Sequence, residues 1–262
     1  VPFYGLVVLC GDDPILKEMM PKIQKRHLCY GITEETVDLR AEAISIRPWK
    51  STFDVTFQGE PLGHFELPAP GRHNVLNALA TIAVGIELDL PATTIQQGIA
   101  AYSGVQRRFQ LQGEYNGVTV VDDYGHHPTE IRAAIAAAKQ GWDIPLIVVF
   151  QPHRYTRTRD CLESLAAAFE GVDHLILTEI YAAGEMPLAG ITGERLYQKV
   201  CEHRQAETLF FKKIEDIAPT LKKIAKPGMM LMTLGAGDIW KVGKTFLSNT
   251  TPEYGYSPHH LD

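Results

Sequence analysis

The segment VVDDYGHHP at 120–128 places an unusually polar turn directly after an apolar run. A turn needs only residues such as Gly, Pro or Asn to redirect the chain, so this one carries more chemistry than its geometry requires. Carboxylate, phenol and imidazole groups can bind hydroxyl or amine groups and can move a proton. The residues that supply these groups are Asp122, Asp123, Tyr124, His126 and His127.

A metal site is a weaker interpretation of this turn than a helix cap or a site that faces a ligand. The side chains of the adjacent His126 and His127 diverge, and no Glu or Cys stands at ligand spacing. Pro128 favours the first position of a helix, so the preceding histidines either cap that helix or face a ligand. We therefore predict no metal site, and a structural, hydrogen-bonded histidine is the alternative for either residue.

A second polar segment, QPHRYTRTRD at 151–160, follows another apolar run and contains Arg154, Arg157 and Arg159. The guanidinium fork matches the oxygen atoms of carboxylates and phosphates, and a helix that begins here adds free N–H groups. The segment thus predicts a carboxylate or phosphate ligand, and a solvated basic turn is the alternative.

Both segments belong to a second half in which apolar runs alternate with helical patterns. The predicted strands are 117–123, 145–150, 173–178, 208–211 and 229–234, and the predicted helices are 128–140, 160–170, 193–201, 214–223 and 238–246. This alternation predicts an α/β fold with a doubly wound, mostly parallel, Rossmann-like sheet. Ligands bind beyond the carboxyl ends of such strands, so the polar turns should meet at one edge.

The first half mixes a strand, a helix opened by Asp13-Pro14, an alternating β-like pattern at 36–67 that includes a β-hairpin at 51–67, and a helix that begins in PGRHNVLNALA. In that last helix Asn74 and Asn77 lie on one face with His73 at its start, and paired amides suit the edge of a purine. A capping His–Asn pair is the alternative.

Two further motifs are less specific. GVQRRFQ puts Arg107 and Arg108 at the junction of the halves, where a cation is placed to reach a ligand held between them. GAGD at 235–238 lacks the third glycine of a dinucleotide fingerprint, so a tight turn into the last helix is its simpler interpretation.

Composition excludes several classes of protein. The net charge of -6 offers no basic field for nucleic acid. No apolar run approaches the roughly 18 residues of a membrane span, so no membrane insertion is expected. Four scattered cysteines without CxxC pairs and the lack of a signal peptide favour a cytoplasmic protein. The first residue is Val1 and not Met, which suggests a fragment or a processed chain.

Seven motifs together resemble the Mur ligases, and most closely the alanine-adding member of that family. In chain order they are PFYGLVVLCGDDP, PGRHNVLNALA, GVQRRF, VDDYGHHPTE, VFQPHRYTRTRD, IYAAGEMP and TLGAGDI. The resemblance implies that 1–106 is the C-terminal portion of a central ATP-binding domain and that 107–262 is the C-terminal α/β domain, with a mobile tail at 249–262. The family's GxxxxGK[ST] phosphate loop and upstream magnesium ligands are missing from this sequence.

The resemblance also implies a reaction in the synthesis of peptidoglycan precursors. ATP, with Mg²⁺ held by residues outside this chain, activates the lactyl carboxylate of UDP-N-acetylmuramate as an acyl phosphate, which L-alanine attacks. Its site residues are implied motif by motif: His73, Asn74 and Asn77 for adenine, Arg108 for the phosphates, Asp123 for the ribose, and Tyr124, His126, Arg154 and Arg157 for alanine and the reacting carboxyl, with Arg108, His126 and Arg154 as the catalytic residues.

His127 and Arg159 receive no role from the resemblance. Without the phosphate loop, the chain is expected to be inactive alone. A nucleotide-dependent oxidoreductase and an isolated nucleotide- or amino-acid-binding module remain as alternatives.

Overall fold

The computed structural model describes residue 2 and residues 4–248. The predicted mobile tail at 249–262 therefore lies outside the described residues. The chain divides into two compact units, which are Val1–Val105 with Ala136–Asp143, and Gln106–Ile135 with Ile144–Asp262. We describe each unit by itself.

The first unit is built on a mixed five-stranded sheet. Its strands are β1 (Val7–Cys10), β2 (His27–Gly31), β3 (Leu39–Arg47), β4 (Lys50–Phe57) and β5 (Glu60–Leu67), in that spatial order. β1, β2 and β3 pair in parallel, whereas β3, β4 and β5 pair antiparallel. Its helices are α1 (Pro14–Met19), α2 (Arg72–Glu87) and α3 (Ala92–Ala100).

Local sequence accounts for much of this unit. Asp13 caps α1, because its Oδ1 accepts the N–H groups of Ile15 and Leu16, each at 2.9 Å. Gln58 and Gly59 both have positive φ, which makes the two-residue turn between β4 and β5 a type I′ turn whose twist suits a hairpin. The predicted helix at Asp13-Pro14 and the predicted hairpin at 51–67 are confirmed.

The second unit is an α/β layer around a six-stranded sheet. Its strands are β6 (Gln110–Tyr115), β7 (Val118–Asp123), β8 (Leu146–Phe150), β9 (His174–Thr178), β10 (Thr208–Phe211) and β11 (Met230–Leu234). The spatial order is β10-β9-β8-β11-β7-β6, and every pairing is parallel except that of β6 with β7. The prediction of an α/β fold with a mostly parallel sheet is confirmed.

The helices of the second half follow the predicted ones closely, with two differences. They are α4 (Pro128–Gly141), α5 (Tyr155–Asp160), α6 (Leu162–Ala166), α7 (Gly193–His203), α8 (Ile217–Ile224) and α9 (Trp240–Leu247). The helix predicted at 160–170 instead begins at Tyr155 and breaks at Cys161, whose φ of -109° leaves the helical region. The predicted helix at 214–223 opens with a 3₁₀ turn over Ile214–Asp216.

Three elements had no sequence prediction, namely β2, α3 and the edge strand β6. The composition of β6, QLQGEY, is polar, and Gly113 lies at a shift of register against β7 with φ +147°. A short strand of this kind lacks the apolar run that marks a buried strand.

The order of the strands decides where the polar turns go. β11 lies between β7 and β8, and the register sets Leu234 level with both Asp123 and Phe150. All five residues of β8 and of β11 are buried, as expected for central strands that are covered on both faces. The turns after β7, β11 and β8 therefore begin side by side.

We predict that Arg107–Asp262 folds without the preceding residues. The second unit has its own core, in which Ile147, Val149, Ile176 and Leu231 pack together. Thermal unfolding followed by circular dichroism should show one cooperative transition, with the 262-residue chain as the reference. A broad, non-cooperative loss of signal from the shorter chain would show that it is not an independent domain.

Candidate functional site

The carboxylate of Asp122 lies buried at the end of β7, where the three neighbouring turns begin. Thr233 on β11 donates its hydroxyl to Asp122 Oδ1 at 2.6 Å. Arg107 Nε donates to Asp122 Oδ2 at 2.8 Å. The buried charge is thus both paired and hydrogen-bonded, which is the condition for a carboxylate to be stable in the interior of a protein.

The guanidinium of Arg107 also holds the turn after β11. Nη1 donates to the carbonyl oxygen of Gly237 at 3.1 Å, and Nη2 donates to that of Gly235 at 2.6 Å. With Nε on Asp122, all three nitrogens have acceptors. The Arg107 Cζ atom lies 5.1 Å from the centre of the Tyr124 ring, within the range of a cation–π contact. One side chain therefore joins the ends of β7 and β11.

The GAGD turn packs against the residue that follows β8. Gln151 Nε2 donates to Asp238 Oδ1 at 3.0 Å, and Asp238 N donates to Gln151 Oε1 at 3.0 Å. Gly235 has φ +146°, and a Cβ atom there would come 2.8 Å from the Gln151 carbonyl oxygen. This packing explains why glycine is required in the turn, without reference to a dinucleotide.

Asp123 fixes the backbone of the polar turn. Its Oδ2 accepts the N–H of Phe109 at 2.8 Å, and its Oδ1 accepts the N–H of Gly125 at 2.7 Å. Burial raises the pKa of Asp123, and these two N–H groups act in the opposite direction. Each carboxylate oxygen can accept a second hydrogen bond, which leaves Asp123 able to accept one from a ribose hydroxyl. The contact with a ribose stays a prediction.

Glu130, on the first turn of α4, holds both histidines by their backbones. Its Oε2 accepts the N–H of His126 at 3.0 Å and that of His127 at 3.1 Å. Its Oε1 lies 3.8 Å from Arg108 Nη1. Burial raises the pKa of Glu130, but the two N–H groups outweigh it and the net shift is downward. The carboxylate therefore stays charged at neutral pH and links Arg108 to the turn.

The ring of His126 has a defined orientation. Its Nδ1 lies 3.0 Å from the Tyr124 carbonyl oxygen. A carbonyl oxygen only accepts, so Nδ1 carries the hydrogen and Nε2 of the neutral ring keeps its lone pair. His126 can therefore take up a proton at Nε2.

His153 joins this cluster and was not among the predicted site residues. Its ring centre lies 5.6 Å from that of His126, and its ring stacks on Tyr181 with an interplanar angle of 10°. Arg157 Nη1 lies 3.2 Å from His153 Nδ1. Since arginine only donates, Nδ1 is the acceptor and His153 is neutral. The one sequence signal for it was its place beside Arg154.

Arg154 stands at the start of α5 in the left-handed region, with φ +70°. Its N–H donates to the Tyr181 carbonyl oxygen at 2.9 Å. Its guanidinium is exposed and has no hydrogen-bond partner in the part of the chain that the structure describes. It is therefore available to an anionic ligand. Arg159, by contrast, donates to Asp160 Oδ1 at 2.7 Å on the surface.

The families that match this chain agree with its two-part organisation. The model described as "Mur ligase, glutamate ligase domain" matches residues 107–237, and the one described as "Mur ligase middle domain" matches residues 1–85. The chain belongs to the Mur ligase family.

Individual Mur ligases are similar over nearly all of the chain. A UDP-N-acetylmuramate–L-alanine ligase from Geobacter sulfurreducens is 46% identical over 249 residues, which are 95% of this chain and 54% of that protein. The solved UDP-N-acetylmuramate–alanine ligase of Thermotoga maritima has a TM-score of 0.75 at 25% identity, over 93% of this chain and 51% of that one. A MurF ligase of the same organism, solved in complex with ADP, shares the fold with a TM-score of 0.71 at 18% identity, over 94% of this chain and 54% of that one. The chain thus spans about half the length of the relatives it matches.

The predicted site residues of this Mur ligase chain fall in two groups. Arg108, Asp123, Tyr124, His126, Arg154 and Arg157 all belong to the second unit, at the carboxyl edge of its sheet. His73, Asn74 and Asn77 lie on the first turns of α2 and belong to the first unit.

The asparagines of α2 line a cavity of about 490 Å³ within the first unit. Most of its wall is apolar and comes from α2 and α3, and Tyr102 also contributes. Asn74 Nδ2 donates to the Pro70 carbonyl oxygen at 2.7 Å. The His73 ring lies against Gly71, where φ is +103° and a Cβ atom would come 2.9 Å from the ring.

Two further findings concern the described residues as a whole. Across residue 2 and residues 4–248, no three His, Cys, Asp or Glu side chains are grouped so that they could hold a metal ion. Within the same residues, every helix is too short or too polar to cross a lipid bilayer.

We predict that His153 stays neutral at neutral pH. Burial, and then the charges of His126, Arg157 and Arg154, lower its pKa from 6.5 to about 4. Because the folded value is the lower one, the unfolded chain binds the proton first as the pH falls. The contribution of the neutral His153 ring to the free energy of unfolding is therefore complete above about pH 6.5, and it is lost as the pH falls towards 4.

An NMR titration of the imidazole Cε1–H signals measures this directly. The His153 midpoint should lie well below pH 5, and Arg157→Gln should raise it by removing a positive neighbour. A midpoint at pH 6 or above in the folded wild-type chain would contradict the neutral, accepting imidazole.

Proposed function

We propose that the complete protein to which these residues belong is an ATP-dependent ligase that joins L-alanine to UDP-N-acetylmuramate in the synthesis of peptidoglycan precursors. The observation that carries the proposal is the carboxyl edge of the second unit's sheet, where a free guanidinium and two imidazoles lie on adjoining loops. The name of the Geobacter sulfurreducens relative supports the choice of alanine.

An amino acid brings a carboxylate and an amine to such a site. Arg154 and Arg157 supply guanidinium groups for the carboxylate. His126 Nε2 can accept the proton that an ammonium must lose before its nitrogen can attack a carbonyl carbon. The Tyr124 ring, edge-on to His126 at 5.3 Å, completes the surroundings of the alanine.

ATP is the second substrate in this proposal. The amide groups of Asn74 and Asn77 suit the edge of adenine, and the largely apolar wall of their cavity suits its faces. His73, which directly precedes Asn74 in the chain, is the third residue that we assign to adenine. Arg108 serves the phosphates and Asp123 the ribose. We assign the protein ligands of Mg²⁺, whose charge offsets that of the phosphates, to parts of the complete protein beyond this chain.

The chemistry proceeds in two balanced steps. A lactyl carboxylate oxygen attacks the γ-phosphorus of ATP, the bond to the ADP oxygen breaks, and an acyl phosphate forms. The neutral amine of alanine then attacks the acyl carbon, an amide bond forms and inorganic phosphate leaves. Arg108 and Arg154 offset the negative charge that develops on the phosphate and acyl oxygens.

We place this reaction in the cytoplasm. None of the described cysteines is in a disulfide, since Cys10, Cys29, Cys161 and Cys201 are all free thiols. Free thiols are typical of a reducing compartment.

In the complete ligase, Arg154→Ala should impair the use of alanine more than the binding of ATP. Losing a charged hydrogen bond to a carboxylate costs about 1.5–3 kcal/mol, or roughly 10- to 150-fold in kcat/KM. Arg154→Lys should restore only part of the loss, because an ammonium cannot form the bidentate contact. The measurements are kcat/KM for alanine and Kd for ATP on folded variants.

Arg159→Ala is the matched control, since Arg159 lies on α5, the helix that Arg154 precedes, but pairs with Asp160 at the surface. The 262-residue chain is the negative control, because its sequence has no GxxxxGK[ST] loop. An alanine kcat/KM within about twofold of wild type in Arg154→Ala would remove Arg154 from the substrate site.

A further inference from the structure

The motif IYAAGEMP, which follows β9, has no role in the proposed chemistry, yet it lies against the loop that carries Arg154. Tyr181 N donates to the Pro152 carbonyl oxygen at 2.8 Å, and Arg154 N donates to the Tyr181 carbonyl oxygen at 2.9 Å. His153 and Tyr181 form an isolated parallel bridge between the loops. The loop after β9 is thus the backbone support for the loop after β8.

The start of α5 lacks a cap from its own sequence. Arg154 occupies the N-cap position, and its side chain makes no capping hydrogen bond. A helix start leaves its first N–H groups without partners inside the helix, so one of them must find an acceptor elsewhere.

Glu185, from the loop after β9, supplies that acceptor. Its Oε2 accepts the Thr156 N–H at 3.0 Å, and its Oε1 accepts the Thr156 hydroxyl at 2.6 Å. The Thr156 hydroxyl lowers the pKa of Glu185 most, and the Thr156 N–H lowers it further. The Glu185 carboxylate is therefore ionised at neutral pH. A carboxylate that accepts hydrogen bonds from one residue at both of its oxygens fixes the position of that residue.

The contact matters because the backbone of Arg154 is strained. A φ of +70° is unfavourable for a residue with a side chain and persists only when its surroundings impose it. Here the surroundings are the Tyr181 carbonyl oxygen before α5 and the Glu185 carboxylate on its first turn. If the turn were released, Arg154 would relax and its guanidinium would leave its present direction.

We propose that Glu185 is a positioning residue that holds the first turn of α5, and through it Arg154 and Arg157, in the geometry that receives the carboxylate of the amino acid. This inference rests on the proposed function. Glu185 itself does not touch the substrate, and the loop after β9 thereby contributes to the affinity for the amino acid.

The test uses the complete ligase with Glu185→Ala, Glu185→Gln and Thr156→Val. Glu185→Ala should raise KM for alanine by at least about fivefold, because misplaced binding groups lose much of their effect. KM for ATP should stay within about twofold. Glu185→Gln keeps one acceptor, so its effect should fall between those of wild type and Glu185→Ala. Glu163→Gln, a surface carboxylate that pairs with Lys199, is the control and should leave both constants unchanged.

A double-mutant cycle separates this role from a general loss of stability. If Glu185 acts through Thr156, the Glu185→Gln/Thr156→Val variant should raise KM for alanine no more than the worse single variant does. If the wild type ligates alanine, either of two results overturns the proposal. One is an unchanged KM for alanine in Glu185→Ala, and the other is additive effects in the double-mutant cycle. A wild-type enzyme that does not use alanine overturns the proposed function and this inference with it.

Discussion

The candidate site depends on one buried ion pair, that of Arg107 with Asp122. A carboxylate with 1% of its side chain exposed is stable only when its charge is paired and its oxygens are hydrogen-bonded. Arg107 meets that need and uses its remaining nitrogens on the turn after β11. The Arg107 guanidinium also lies beside the Tyr124 ring, so this ion pair helps to position the polar turn that follows β7.

The site residues stand on backbone that is held in place from outside their own loops. Arg107, Phe109 and Arg154 all have positive φ, a conformation that costs about 1–3 kcal/mol for residues with side chains. Hydrogen bonds from neighbouring strand ends hold each of them, such as that of Phe109 N to Asp123. Rigid parallel strands carry these loops, which suits groups that must be positioned before a ligand arrives.

Sequence alone could predict the α/β class and the edge at which the polar residues meet. β8 and β11 are continuous apolar runs, and the turn after β7 is conspicuously polar. Sequence alone could not predict the long-range hydrogen bonds that hold these loops in place. Arg107 and Gly235 are 128 positions apart, and Thr156 and Glu185 are 29 apart, so no local pattern reports either contact. β6 and the true start of α5 were missed because pairing with β7 and capping from another loop override weak local signals.

The most direct test of the central claim is a double-mutant cycle on Arg107→Met and Asp122→Asn, read as the free energy of unfolding of the 262-residue chain. Arg107→Met alone should cost about 3–5 kcal/mol, because it leaves the Asp122 charge buried without a partner. The double variant should cost less than the sum of the two single variants by more than about 1 kcal/mol. Effects that add within about 0.5 kcal/mol would show that the site does not depend on this pair.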